Sequence, residues 1–479
     1  MRLLTCVLFF ASTSFVARAQ DPKPKPEHVP ADVAPQDPPA TPLETPQETP
    51  YETPIIPPEA VPAPVPPTEA LPPAVVTSTS ATRAVPTLLA YARTWSEAEY
   101  EAELERLAST YPRFLRLGSL GTSKQGRRIA LLTIGDLATD PDRRPAVLLA
   151  TDLEARFGDR PGGPEAALFA VRTLLERAER ETEFAEFFTG ATLYAVPAPD
   201  PDGVFAQAAA TERTCRLERN FPAGWQPSDA IECPQGPYPC SEPETRELAR
   251  LVAARTNVAA LAVLAVDPGP EAFDARTPPS APLSRIAVRA SLDARRLTRA
   301  REFAVAKPGG LAAFAHARSG ACVLALDPWS GDEASGDAVR PAFAALPLAV
   351  DGLLRELPRL EGRMDRAERL RERLWLVEVE VRVAGGLPTA SPEERAKAPA
   401  SVWLDVEGAR VSKIGARRDG QPTANLDVPR GRTWRIGHLD GNESLKLFLA
   451  VEGDEGGVLR LAFRSLRGGR AEFDVALGG

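Results

Sequence analysis

The chain has 479 residues, and 57 lysines and arginines against 65 aspartates and glutamates give a net charge of −8. At 43% hydrophobic it can bury a core over most of its length, which excludes wholesale disorder, and roughly two to four domains fit that length. Its mild acidity argues against nucleic acid as a partner, since such binding needs a basic stripe to neutralise phosphates.

Residues 1–19 have the form of a secretory signal peptide. Arg2 precedes the apolar run Leu3 to Val16, and Ala17 and Ala19 are small residues at the cleavage positions. A membrane anchor is the alternative, but the run falls short of the ~20 residues a span needs. No later stretch is long and apolar enough to be transmembrane. The mature protein is therefore expected to be exported, to the periplasm, the cell surface or the medium. Residues 20–84 form a proline-rich linker in which Glu-Thr-Pro occurs at 44–46, 48–50 and 52–54. Proline fixes φ and removes a backbone donor, so an extended spacer is expected. A docking sequence for a proline-reading partner is the other reading. His28 lies in this segment and is read as solvated.

From about Val85 the composition turns globular. Tyr100, Leu104, Leu107 and Tyr111 share one face of a helix expected over Tyr100–Tyr111. Next come a segment Phe114–Leu120, a turn over Gly121–Gly126 and strands at Arg128–Ile134 and Val147–Thr151. A helix at Pro164–Arg177 and strands at Thr192–Val196 and Leu261–Ala265 follow. Alternating strands and helices imply an α/β domain over residues 85–355, with a mixed, largely parallel sheet flanked by helices. Residues 356–373, dense in Arg, Glu and Leu at helical spacing, predict a helical connector. Residues 374–479 alternate, as in Leu374–Val383, with turns at Gly385-Gly386 and Gly453–Gly457, which predicts a β-sandwich. Phe448 and Val451 are expected in its core, and His438 at a surface or turn.

Once Cys6 is lost with the signal, Cys215, Cys233, Cys240 and Cys322 remain, an even number in an exported chain. Cys233 and Cys240 bracket a turn-rich loop that could close a local bridge, which leaves Cys215 with Cys322. The spacings do not form a zinc knuckle.

Five segments, in order, resemble the zinc carboxypeptidase (carboxypeptidase A-like) family. They are Tyr111-Pro112 with Leu117–Arg127, Pro199-Asp200-Pro201-Asp202-Gly203, Leu217-Glu218-Arg219-Asn220-Phe221-Pro222, Ser241–Thr245, and Gly309-Gly310 through His316 to Asp327. Gly385–Thr389 also resembles a turn in the β-domain appended to some bacterial members. The resemblance implies zinc held by a His-x-x-Glu pair and a distant second His, with a Glu as general base. Here the ligand positions fall on Glu154, Phe157 and either Val266 or Asp267, and phenylalanine cannot ligate zinc. The general-base position falls on Asp327, shorter than glutamate by about one C–C bond, ~1.5 Å. The family's tyrosine position falls on His316.

Only three histidines occur in the chain, His28, His316 and His438, so the α/β region alone cannot supply two imidazoles under any alignment. No zinc or other cofactor is therefore expected. A carboxylate set of Glu154, Asp267 and Asp152 would suit calcium or magnesium, and solvated loop residues at an empty cleft are the plainer reading. For substrate binding the resemblance implies Arg219, with Arg156 falling on another family arginine that holds substrate and Glu218 where the family has asparagine. The function expected is an inactive carboxypeptidase-family pseudoenzyme that binds a peptide or protein C-terminus. Two alternatives stand beside it: an active zinc metallocarboxypeptidase, and a structural envelope component with a vestigial cleft. An exposed, unpaired Arg219 would favour binding, and an Arg219 locked to Glu218 or Asp327 would favour the vestigial reading.

Overall fold

The computed structural model describes residues 88–91, 93–151, 153, 162–205, 215–227, 235–264, 300–302, 310–326, 339–419, 421, 423–426 and 432–478. The expected signal and linker lie outside these residues, as do Asp152, Glu154, Arg156, Phe157, Cys233, Val266, Asp267 and Asp327. The described residues fall within one compact unit, Thr82–Gly479.

Apolar runs dictate the central sheet. Strands β2 (Arg128–Ile134), β3 (Ala146–Thr151), β4 (Thr192–Val196) and β5 (Val258–Leu264) are buried along nearly their whole length. Strands covered by helices on both faces need that composition. With β1 (Leu115–Thr122), β6 (Ala300–Glu302) and β7 (Cys322–Leu326) they form a seven-stranded mixed sheet in the order β1-β2-β4-β3-β5-β7-β6. The four strands β4, β3, β5 and β7 are parallel, while β1, β2 and β6 join antiparallel.

Helices α1 (Leu88–Tyr91), α2 (Glu97–Thr110), α3 (Gly163–Arg180) and α4 (Thr182–Gly190) precede the short α5 (Pro201–Phe205) and α6 (Pro243–Ala254). Helices α7 (Leu311–Ser319) and α8 (Val339–Arg355) follow. One core lies under α2, α3, α4 and α8, and a second lies under α6 and α7 on the opposite face. Helix α2 starts three residues before its first predicted position, because Ser96 and Glu99 close a reciprocal capping box. Among the described residues no helix is long and apolar enough to cross a membrane.

The expected helical connector is instead a long edge strand, β8 (Arg359–Arg371). Its charges sit on exposed faces, and Arg363 and Arg366 pair with Glu380 and Glu378 of the neighbouring strand β9 (Leu374–Ala384). That cross-strand neutralisation is invisible to a reading of local periodicity, and charged residues are what an edge strand carries.

The C-terminal region is a two-sheet sandwich. The sheet β12-β11-β14-β9-β8 contains β11 (Arg410–Arg418), β12 (Ala424–Asn425) and β14 (Ser444–Glu452). It faces the sheet β13-β10-β15-β16, made of β10 (Val402–Glu407), β13 (Thr433–Gly437), β15 (Val458–Ser465) and β16 (Gly469–Ala476). Alternate residues such as Val377, Val379, Leu447, Val451, Leu404 and Leu461 fill the space between them. Phe448, expected in this core, falls on the other parity of β14 and lies half-buried under Arg417, whose guanidinium is 5.0 Å from its ring. His438 is half-buried rather than on the surface. Its Nδ1 is 3.0 Å from Ser401 Oγ and its Nε2 is 3.0 Å from the Ala398 carbonyl. A short helix, α9 (Pro392–Lys397), also belongs to this region.

The sandwich docks against the amino-terminal edge of the parallel strands. Gly469 abuts Arg143 and Pro145, just before β3, and Arg359 reaches Gly190, just before β4. Arg467 Nη1 donates to the Gly320 carbonyl, just before β7, at 3.0 Å. Leu387 of the sandwich is part of the α/β core.

Among the described residues Cys215, Cys240 and Cys322 form no disulfide, so the expected Cys215–Cys322 pair is not made, while Cys233 of the other expected pair lies outside them. Cys322 faces the core under α3 and α8. Cys215 lies against Gly236, in the loop region whose Leu217 and Phe221 belong to the opposite core. The sheet therefore separates the two sulfurs. Cys240 packs on that opposite core, and burial pushes its thiol pKa up.

Candidate functional site

The parallel strands direct their carboxyl ends to one edge, and open α/β sheets bind ligands beyond that edge. Asp152 and Glu154 follow β3 in the chain, Pro199–Gly203 follows β4, Val266 and Asp267 follow β5, and Asp327 follows β7. The chain leaves all four parallel strands at this edge, while Glu154, Arg156, Phe157, Val266, Asp267 and Asp327 lie outside the described residues.

Of the expected site residues at this edge, Arg219 and Glu218 are among those described. They sit on a single 3₁₀ turn, Leu217–Arg219, with Leu217 and Phe221 buried on either side as pins. Between the pins, Asn220 is fully buried. Its Nδ2 donates to the carbonyls of Gln235 and Tyr238 and to Ser241 Oγ, at 2.8, 3.1 and 2.9 Å. Its Oδ1 accepts from Thr245 Oγ1 at 2.5 Å and from Glu242 N at 3.2 Å. The loop is therefore fastened to the start of α6 independently of any ligand. Glu218 Oε1 accepts from Leu153 N at 3.4 Å, which ties the turn to the end of β3. Arg219 is exposed, and its guanidinium has no ion pair among the described residues. The Arg219–Glu218 surface pair is not formed.

A second network backs this edge. Asp202 is fully buried and accepts from Ser123 Oγ at 2.7 Å, Gln125 N at 2.9 Å and Arg127 Nη1 at 2.9 Å. Glu244 Oε1 accepts from Lys124 N at 3.0 Å. A Cβ on Gly203 would fall 2.2 Å from Asp200 Oδ2, so the Asp200 carboxylate that accepts from Gly203 N at 2.9 Å would have to move. The motifs around 121–127, 199–203 and 241–245 thus meet each other, and their described polar groups act as scaffold. Nothing local in the sequence marks Asn220 and Asp202 for this role, because each gathers partners from distant segments.

His316 stands apart. Its Nδ1 lies 3.1 Å from the Ala321 carbonyl at the start of β7, so the proton resides on Nδ1. The family's base position follows the other end of that strand, ~13 Å away at the usual rise per residue. The structure places His316 at the amino-terminal end of β7, and Asp327, its expected companion, lies outside the described residues. Spacing placed it near Asp327 in sequence, but α7 runs back along β7 and leaves it at the opposite end.

Residues 100–266 match the family model described as zinc carboxypeptidase. The resemblance to that family holds over this region. Solved structures similar to the chain include bovine thrombin-activatable fibrinolysis inhibitor, in complex with tick carboxypeptidase inhibitor. It is 16% identical, with 55% of this chain and 97% of that chain covered and a TM-score of 0.44. Carboxypeptidase A from Helicoverpa armigera is 17% identical, covering 55% and 73% with a TM-score of 0.43. A metallo-carboxypeptidase from Pseudomonas aeruginosa is 19% identical, covering 55% and 71% with a TM-score of 0.34. No curated protein matches the chain.

The family's zinc does not fit the donors this chain offers. Phe157 has no lone pair to give, no ligand position carries an imidazole, and the Nδ1 of His316 is committed to a carbonyl at the far end of β7. Among the described residues no cluster of three or more His, Cys, Asp or Glu could hold a metal ion.

Proposed function

We propose that this protein is an exported, carboxypeptidase-family pseudoenzyme that has lost its zinc site and peptidase activity and binds the C-terminus of a peptide or protein. The observation that carries this reading is Arg219, exposed and without an ion pair among the described residues, on a turn pinned at the carboxyl edge of the sheet. A guanidinium grips a carboxylate through two parallel hydrogen bonds. Glu218 is drawn off toward Leu153 N, which lessens its competition for that grip. The histidine inventory supports the loss of zinc, and the form of residues 1–19 supports export.

Two measurements on the chain from residue 85 to 479 test this reading. Peptides with a free C-terminus should bind measurably, and C-terminal amidation or Arg219→Ala should weaken binding about tenfold or more. Elemental analysis after incubation with excess zinc and washing should give almost none. Equal binding of free and amidated peptides would remove the C-terminal reading. About one zinc per chain, together with release of C-terminal residues, would establish the active enzyme instead.

A further inference from the structure

A cavity of about 540 Å³ lies where the sandwich meets the amino-terminal edge of the parallel strands, at the end of the sheet opposite Arg219. Arg143, Arg144, Arg359 and Arg470 line it, against two carboxylates, Asp140 and Glu361. Two of the arginines are already neutralised, Arg143 by Asp140 at 3.5 Å and Arg470 by Glu472 at 3.0 Å. Arg144 and Arg359 have no carboxylate partner among the described residues.

Arg144 is 6% exposed. Its Nη1 donates to the Phe188 carbonyl at 2.7 Å, while its Nε and Nη2 are buried without a hydrogen-bond partner. Arg359 lies 4.9 Å over the Phe187 ring and donates to the Arg355 carbonyl at 3.2 Å. Desolvation lowers the pKa of both guanidiniums. Glu361, two residues from Arg359 on β8, tempers the local field but forms no ion pair with it. A guanidinium taken out of water with no counter-charge is unfavourable, and here the space beside two such groups is open. Ligand sites are common at such junctions between packed parts of a chain.

We propose that this cavity binds a small oxyanion, a phosphate or a carboxylate, with Arg359 as the direct donor and Arg144 as a fixed positive charge behind it. A bound anion would be gripped by Arg359 of β8 in the field of Arg144 of the α/β part, and so would strengthen the docking of the sandwich. This site is independent of the peptide-binding reading.

The test titrates the full chain with inorganic phosphate and, separately, with acetate, each against sodium chloride at matched ionic strength. The melting temperature and calorimetric heat should saturate with at least one of the two anions. Saturation with phosphate assigns a tetrahedral oxyanion, and saturation with acetate assigns a carboxylate. Arg359→Gln should weaken that anion about tenfold or more. If Arg359→Gln does not fold, Arg359→Lys decides, since it keeps the cation and loses the planar fork, and it should bind several-fold more weakly. A shift no larger than chloride gives, or unchanged affinity in the Arg359 variant, would overturn the site. So would loss of the effect in Arg219→Ala, which would place the anion in the cleft.

Discussion

Glu165, in the first turn of α3, is 2% exposed. Its Oε1 accepts from Trp95 N at 2.7 Å, but its Oε2 is buried without a hydrogen-bond partner, and desolvation raises its pKa. A carboxyl group whose folded pKa exceeds its unfolded value, ~4.3 for glutamate, stabilises the fold most fully below that value. The contribution is lost as pH rises through the folded pKa. Glutamine keeps the acceptor for Trp95 N and cannot ionise. The stability of the native chain relative to Glu165→Gln should therefore fall as pH rises from about 4, then level off once Glu165 is ionised in the fold. Urea midpoints of both proteins between about pH 4 and 8 measure this, and a pH-independent difference would sink it. The same scale shows how far the site was legible. Arg219 and Glu218 stood out in sequence because residue type and motif order survive in one chain. The anchoring by Asn220 and the placement of His316 did not, because both depend on which distant segments share an edge.

Helix α7 ends at Gly320, whose φ of 57° is left-handed, with the Gly320 amide donating to the His316 carbonyl. Glycine adopts this conformation at no steric cost. A Cβ there would also fall 2.2 Å from Ser391 Oγ, on the residue that caps α9. Gly320→Ala thus combines backbone strain with a clash across the docked sandwich, and should cost about 2–4 kcal/mol. Chemical denaturation reads this directly, and a loss below about 0.5 kcal/mol would mean that the junction yields easily. Other elements were plain in sequence. Strands β2 and β4 match their expected bounds, since four or more apolar residues between turn signals leave little choice. Strand β8 reads as helix in sequence because its glutamates and arginines are balanced by β9, a partner that a local window does not contain.

At the scale of the whole molecule, the two folded parts share structure rather than merely touching. Leu387, from the turn after β9, is 3% exposed within the α/β core, and its amide donates to the Glu356 carbonyl at 3.0 Å. Arg467 Nη1 of the sandwich donates to the Gly320 carbonyl of the α/β part at 3.0 Å. The sandwich thereby covers the amino-terminal edge, at the end of the sheet opposite Arg219. A chain cut after Arg355 would strip cover from Leu353, Leu354 and Phe187 and remove the partner of Gly320. An exposed apolar end of that kind favours aggregation. Residues 85–479 should therefore melt in one calorimetric transition, and residues 85–355 alone should be insoluble or lack a cooperative melt. Two separate transitions, with the upper or lower one reproduced by the isolated α/β part, would show that the sandwich is an independent module. The arginine-lined cavity would then lie at a joint that can open, and anion binding should raise the temperature at which the two parts come apart.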